Sequence, residues 1–487
     1  MTCQLPTDCL NEIIECLEED RHTLYSCLLV NHLWCEISVR VLWRNIWKFK
    51  TFKSKIVASS ILSTLIACLP NESKELLCKN EIFISEPTSK LPLFNYAAFC
   101  KVLSIISVNE MVENGFQDKQ SSKLCLVNEE FIKMFANQIY SLKKLVYYNN
   151  YHLNISFPYF PGLRDLSELY CCSSLHSNFF HQLSQICHNL HALYIHFINY
   201  NIPNELKELI SLQNNLKILS LSAFNASWKD IIPSLKNNSN TITKLCLYGN
   251  SSDLPLSFVS LLSNLQEFIF SFLDGYHSED FKALQHVKFS NLQTLKFPYE
   301  CPRPEYIMKF LENNGKNLKK LYIRDSNEAL KLSITDFCPN LKSLFIIFEN
   351  NELDTLKSIF NNCRYLESIK IWCGKSLFPF NKDYLSEKGV FEIVANYSPN
   401  NFCELNIKNI SNSEISSEDL ELFFISWKNR TPKRILTLII IKEYCKDFDD
   451  YEENMEIIKK YENLGIIKYR TIGSEKEKIE EECYVSL

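Results

Sequence analysis

Apolar residues along most of this chain return in a fixed triplet: one apolar position, two others, an apolar position, one other, an apolar position. The stretch NLKKLYI at 317–323 is a plain copy, with Leu318, Leu321 and Ile323. The same form runs through Leu190/Leu193/Ile195, Leu216/Leu219/Leu221, Ile242/Leu245/Leu247, Leu265/Phe268/Phe270 and Leu292/Leu295/Phe297. It continues in Leu341/Leu344/Ile346, Leu366/Ile369/Ile371 and Phe402/Leu405/Ile407. Looser copies are Leu142/Leu145/Tyr147 and Leu166/Leu169/Cys171 before the series and Ile435/Leu438/Ile440 after it. The middle residues from 193 to 369 are 26, 26, 23, 27, 26, 23 and 25 positions apart. The last two apolar positions of a triplet share one face of a strand. Between triplets lie helical stretches such as ELKELISLQNN (205–215) and LDTLKSIFNNC (353–363); Leu353, Leu356, Ile359 and Phe360 fall on one helical face.

One short strand and one helix cannot bury their apolar sides alone, so each unit must lie against a copy of itself. The period is that of a leucine-rich repeat. The expected fold is therefore α/β: a solenoid over residues 141–441, with a curved parallel sheet and helices on its convex side. Each fully buried aliphatic in it contributes about 1.5–3 kcal/mol. Asn150 and Asn250 follow their strands as turn-bonding asparagines, whereas Ser326 and Glu349 replace them, so the repeats are irregular.

The alternate strand positions point to the other face. They read Tyr194 and His196, Lys244 and Tyr248, Lys296, then Lys320, Tyr322 and Arg324, Phe345 and Ile347, Lys370 and Trp372. Mixed aromatic and basic residues on a rigid surface are the composition of a protein-binding site. Cross-strand packing is the alternative reading. The expected substrate surface comprises Tyr194, His196, Tyr248, Lys296, Lys320, Tyr322, Arg324, Phe345, Lys370 and Trp372. Its expected ligand is an extended acidic or phosphorylated segment, with Trp372, Phe345 and Tyr322 as anchors.

The N-terminus has another pattern. LPTDCLNEIIECL (5–17) puts Leu10, Ile13, Ile14 and Leu17 on one helical face behind Pro6, with Asp8 in the first turn where the helix dipole favours it. TLYSCLLVNHLWCEIS and VRVLWRNIW supply Leu24, Cys27, Leu28, Leu33, Trp34, Ile37, Val41, Leu42, Trp43 and Trp47. Three short helices would bury a small core and leave apolar residues over, which marks a partner surface. On Leu5, Pro6, Asp8, Leu10, Ile13, Ile14 and Leu17, the block SCLLVNHLW (26–34), and Leu42 with Trp43, residues 1–50 resemble an F-box. That module docks onto the Skp-type adaptor of cullin-RING ubiquitin ligases. Cys9 stands where such modules often carry a longer aliphatic. With repeats behind it the chain resembles F-box/leucine-rich-repeat proteins, and its Asn-, Lys- and Phe-rich style resembles fungal sets of them. The resemblance implies a non-catalytic substrate adaptor that serves ubiquitin-dependent degradation in the cytoplasm or nucleus. Its partners would be the Skp-type adaptor, the cullin ligase core and a protein substrate. The implied adaptor contacts are Leu5, Pro6, Asp8, Leu10, Ile13, Ile14, Leu17, Leu28 and Trp34. The alternative is a protein-binding repeat scaffold unconnected to ubiquitin, its N-terminal helices serving as a cap.

Residues 51–140 read as a helical bridge with possible degenerate first repeats. SKIVASSILSTLIACL (54–69) and LFNYAAFCKVLSIIS (93–107) are apolar enough for buried helices, EEFIKMFANQIY (129–140) is amphipathic, and ENGFQDKQSSK (113–123) reads as a polar loop. Beyond 441, YEENMEIIKKYENLG reads as a helix stopped at Gly465, IIKYRTI as a closing strand and SEKEKIEEEC as a solvated acidic end; 442–487 is expected as cap and tail. A net charge of −5 gives no overall attraction to nucleic acid or anionic membrane. MTCQLPTDCLNEII lacks a basic region followed by an apolar core, so the 20 cysteines are expected as reduced thiols. No Cys-x-x-Cys, Walker, HExxH or dinucleotide pattern occurs, and nine glycines disfavour phosphate loops. Cys187, His188, His191 and His196 form the densest ligand cluster but do not converge in the expected register. Neither cofactor nor metal nor catalysis is expected.

Overall fold

The computed structural model describes residues 5–48, 55–82, 92–116, 120–148, 157–198, 201–250, 254–272, 278–375, 383–442 and 445–473. Asn150 and the acidic stretch from 474 onward lie outside the described residues, as does part of the 113–123 loop. The chain divides into two compact units, Met1–Leu216 with Pro233–Asn238, and Lys217–Ile232 with Ser239–Leu487.

The first unit opens with α1 (Thr7–Glu15), α2 (Arg21–Cys27) and α3 (His32–Trp43). Asp20 caps α2 by accepting from the Thr23 amide at 3.2 Å, and Asn31 caps α3 by accepting from the Trp34 amide at 3.0 Å. Such caps satisfy amides that the helix start leaves unpaired. Leu10, Ile14, Leu24, Ile37 and Val41 close a small core, with Leu17, Trp34 and Leu42 packed against it.

Two further helices, α4 (Lys55–Ala67) and α5 (Asn71–Lys79), precede a parallel ladder of four strands among the described residues of this unit. These are β1 (Val102–Ser104), β2 (Lys144–Tyr147), β3 (Glu168–Cys172) and β4 (Ala192–Phe197), paired in that order. The ladder therefore starts inside the segment expected as a bridge. LFNYAAFCKVLSIIS is not one helix: a 3-10 turn at Ala97–Phe99 leads into β1, and Ser104 then caps α6 (Ile105–Gly115) by accepting from the Ser107 amide. The apolar run is equally suited to a strand buried on both faces, and periodicity alone cannot separate the two. Helix α7 (Ser121–Gln138) follows, and α8 (Ser177–Ile186) packs beside α9 (Asn204–Ser211).

Each rung is joined to the next by a carbonyl that accepts two amides. The Lys101 carbonyl takes the amides of Lys143 and Lys144 at 2.8 and 3.1 Å, and the Lys143 carbonyl takes those of Ser167 and Glu168 at 2.9 and 3.0 Å. The step before β1 is made by the three-helix module itself: the Arg44 carbonyl accepts from Lys101 and Val102 at 2.8 and 3.1 Å. The Trp47 indole donates to the Val102 carbonyl at 2.7 Å, and Trp43 lies against Tyr96 with centroids 4.6 Å apart. The module is thus tied to the first rung directly, through Arg44 and Trp47.

The second unit carries β5 (Ile218–Ala223), β6 (Lys244–Gly249), β7 (Glu267–Phe272), β8 (Thr294–Phe297), β9 (Lys320–Ile323), β10 (Ser343–Ile346), β11 (Ser368–Cys373), β12 (Glu404–Asn409), β13 (Leu436–Lys442) and β14 (Ile467–Gly473). All pair in parallel in chain order. The middle residue of every triplet meets its counterpart: Leu219, Leu245, Phe268, Leu295, Leu321, Leu344, Ile369, Leu405 and Leu438 stand in one row, all buried. The connecting helices α10 (Ser278–Phe281), α11 (Pro304–Asn314), α12 (Glu328–Phe337), α13 (Leu353–Asn362), α14 (Glu387–Tyr397), α15 (Ser417–Lys428) and α16 (Glu452–Asn463) form the other layer, with α11 to α16 packing in succession. The repeat continues past 441, because β14 pairs along its full length with β13.

Asparagines mark the turn before each strand more regularly than the turn after it. Asn264 donates to the Asn240 carbonyl at 2.7 Å, Asn291 to the Asn264 side chain at 3.3 Å, and Asn340 to the Lys316 carbonyl at 2.8 Å. Buried Asn314 serves Phe289, Val287 and Phe310 at once. After the strand, Asn250 accepts from the Asn225 amide at 3.0 Å. Asn225 has φ 54°, a left-handed backbone that asparagine tolerates better than most residues.

Candidate protein-binding surfaces

The helical module separates its apolar residues into two sets. Leu10 and Ile14 are its core and are covered by Leu24, Ile37 and Val41, so they hold the module together and do not face a partner. Leu17 and Trp34 pack on the edge of that core, and Leu28 is half-buried. Leu5, Pro6, Asp8 and Ile13 are exposed. The two largest exposures fall outside the expected set, on Leu29 at 88% and Val30 at 57%; Leu5 follows at 55%, and Tyr25 and Leu33 are exposed as well. The block SCLLVNHLW contains three of these, but its helical face cannot be read because α2 ends at Cys27 and α3 begins at His32. Residues 28–31 form the turn between the two helices, and the turn presents Leu29 and Val30 to water.

On the open face of the first unit, charges pair with each other. Lys144 lies 3.2 Å from Glu168, and its ammonium stands 4.2 Å from the Tyr170 ring centre. Tyr170 stacks flat on Tyr194, centroids 3.9 Å apart. Burial raises the Tyr170 hydroxyl pKa and lowers that of His196, so both favour the neutral form. Tyr194 and His196 are half-buried and belong to this unit; the other expected substrate residues belong to the second. His188 bonds the Ser184 carbonyl through Nε2 at 3.0 Å, Cys187 directs its thiol at the Leu166 carbonyl, and His191 is exposed.

In the second unit the open face changes from β6 to β11. Tyr248 is buried with Cys246 and Ile269. Lys244 and Lys296 flank Glu267 at 3.0 and 3.9 Å. From β9 onward the face is a run of rings. Tyr322 and Phe345 lie 4.3 Å apart, Phe345 and Trp372 5.7 Å, and Trp372 meets Tyr384 edge-on at 5.7 Å. Phe345 is 2% exposed and Trp372 8%, so they form a floor, not projecting anchors as expected. Alternation placed them on the correct face, but rings on adjacent strands cover one another. Cations stand over this floor: Lys370 4.7 Å from the Phe345 centre and 5.2 Å from that of Tyr322, Arg324 5.1 Å and Lys408 5.7 Å from Trp372. Each such contact contributes about 0.5–2 kcal/mol.

Strand pairing sets the rows. Lys296, Tyr322, Phe345, Lys370 and Asn406 stand side by side on β8 to β12. Thr294, Lys320, Ser343, Ser368 and Glu404 form the adjacent row. All of these but Thr294, with Ile441 on β13 and Ile472 on β14, line a hollow of about 250 Å³. Glu404 is held inside it, accepting from Ser368 Oγ at 2.8 Å and Asn406 Nδ2 at 3.0 Å.

Two buried carboxylates share an amide nearby. Asn409 Nδ2 donates to Glu387 at 2.8 Å and to Asp447 at 3.1 Å, and the Ser413 hydroxyl also serves Glu387. Burial pushes the Glu387 carboxyl up and raises Asp447 to about 6. Asp447, Asp449 and Asp450 are the one group among the described residues whose ligand atoms are close enough to share an ion. The Lys442 ammonium already fills that role, 3.0 Å from Asp449 and 2.8 Å from Asp450. The described cysteines are free thiols, and no single helix among the described residues is long and apolar enough to cross a membrane.

No family model matches the chain, and no curated protein matches it. Among solved structures, it is similar to the leucine-rich repeat-containing protein LegL7 from Legionella pneumophila. That likeness has 15% identity, covers 62% of this chain and 90% of that one, and has a TM-score of 0.35. It is also similar to the Rad7 and Elc1 complex in yeast, at 15% identity, over 91% of this chain and 87% of that one, with a TM-score of 0.36. Neither likeness is close enough to carry an argument; the repeat fold rests on this chain's own strand ladder.

Proposed function

We propose that this chain is a substrate-recognition adaptor of a Skp-cullin-F-box-type ubiquitin ligase, working in the cytoplasm or nucleus. The three-helix module docks onto a Skp-type adaptor, and the open face of the repeats holds a protein substrate. Ubiquitin transfer belongs to other subunits, and this chain carries no catalysis. The observation behind the reading is that the module has a closed core yet leaves Leu5, Ile13, Tyr25, Leu29, Val30 and Leu33 in water. Several large apolar residues left exposed on so small a folded module suit a docking surface. The sequence resemblance identifies the partner chemistry.

Co-expression of the full chain with a Skp-type adaptor tests it. The wild-type chain is expected to co-purify with the adaptor, and the Leu5→Ala/Pro6→Ala and Leu29→Glu variants to lose it while keeping the wild-type melting profile, since truncating a central interface residue commonly costs more than about 1 kcal/mol of binding. Failure of the wild-type chain to capture the adaptor would leave a repeat scaffold unconnected to ubiquitin.

A further inference from the structure

Three lysines reach into the hollow on the open face of β8–β14. Lys296, Lys320 and Lys370 enter it from three strands, and Lys370 leans across β10 until its ammonium lies 3.4 Å from the Tyr322 hydroxyl. Glu404 is the carboxylate that lines the hollow, and Ser368 and Asn406 both donate to one of its oxygens, Oε1. Glu267 reaches Lys296 only at 3.9 Å while pairing with Lys244 at 3.0 Å. Lys320 and Arg324 are exposed, and among the described residues no carboxylate forms an ion pair with either.

We infer that this hollow is the seat of an extended, carboxylate-rich segment of a partner protein, lying across the strands on the Tyr322–Phe345 floor. The inference names the ligand of the substrate face proposed above and rests on that reading for its biological use. Three features select this occupant. The chain carries net charge −5, so local positive charge on one face is a specific placement. The cations are lysines spread over neighbouring strands about 4.8 Å apart, which suits several separate carboxylates better than one compact dianion. The floor between them is aromatic, so the backbone and apolar carbons of an extended segment find a flat surface between the charges. Alternate side chains of such a segment fall on the same side, about 7 Å apart, and can reach Lys320, Lys370 and Lys296 in turn.

The test uses the purified full chain and two fluorescent peptides, one alternating glutamate with glycine and its glutamine counterpart. The glutamate peptide is expected to bind, and to bind more weakly as salt is raised, because exposed charges are screened over about 8 Å at physiological ionic strength. The glutamine peptide is expected not to bind. Lys320→Glu, at an exposed position, should weaken glutamate-peptide binding by about tenfold or more, the size expected for loss of a charge-assisted contact. Lys459→Glu, exposed on α16 in the helical layer and not among the residues that line the hollow, should leave it unchanged. Equal binding of both peptides, or indifference to Lys320→Glu, would overturn the inference. So would preference for a phosphoserine–glycine peptide over the glutamate one, which would assign the hollow to a single phosphate. Adaptor capture without glutamate binding defeats this inference alone; glutamate binding without adaptor capture defeats the ligase reading alone.

Discussion

In the three-helix module, Leu10, Ile14, Leu24, Ile37 and Val41 close the core while Leu29 and Val30 stay in water. In the ladder, Leu295, Leu321 and Leu344 are buried just as deeply, and the rings on its open face are covered by one another. The difference follows from geometry. A repeat unit always has a copy beside it, so apolar residues on either face find a neighbour of the same shape. A module of three short helices has no copy, and the residues its core cannot take remain for another molecule. The same amino acids therefore mean stability in one region and availability in the other.

Substitutions should separate the two meanings. Leu321→Ala is expected to destabilise the chain by about 2–5 kcal/mol, because the cavity lies between packed rungs. Lys320→Ala, one residue earlier on the open face, should stay within about 0.5 kcal/mol. Thermal unfolding followed by circular dichroism checks both, and equal melting of the two variants would mean that β9 does not sit in this register.

A middle-sized effect is expected from pH. Asp447 is held at about 6 in the folded chain, above the ordinary carboxylate value of about 4 in an unfolded one. The folded state thus binds more protons in that window, so this group favours folding below about pH 4 and its contribution is lost as pH rises through 6. Glu387 shifts in the same direction. Exposed carboxylates with lowered values, such as Asp419 beside Lys388, act in the opposite sense and dominate at lower pH. Between pH 7 and 5 the melting temperature should rise relative to that of Asp447→Asn, and parallel curves for the two proteins would remove the carboxylate pair from the account. The smallest effect belongs to the module: Leu29→Glu should change stability by less than about 0.5 kcal/mol, measured in the same melts, because Leu29 touches little of its own chain.

The triplets were legible because one strand position recurs in every rung, and the middle residue of each meets its counterpart in the ladder. What the pattern could not carry is who stands beside whom. Phe345 lies on the predicted face, but only the pairing with Tyr322 and Lys370 turns it from an anchor into a floor. Val102–Ser104 escaped notice because a three-residue strand inside an apolar run has too little alternation to declare itself. Lys331 escaped for the opposite reason. A lysine in a helix reads as solvated, yet it is fully buried against Glu352, whose carboxylate also takes the Glu349 amide at 2.6 Å. In the module, Leu10 and Ile14 were grouped with Ile13 by helical spacing, which defines a stripe without saying which edge of it the other helices cover.

The carbonyl of Arg44 gives the module a mechanical property. It accepts the amides of Lys101 and Val102 as the Lys101 carbonyl accepts those of Lys143 and Lys144, so the module joins the first unit as one more rung. A module hung on a tether would sample a cone of directions, and anything it gripped would wander through that cone. Sharing a rung removes the swivel. A partner docked on Leu29 and Val30, as proposed above, would be held at one bearing from β1, like a tool bolted to the first tread of a stair.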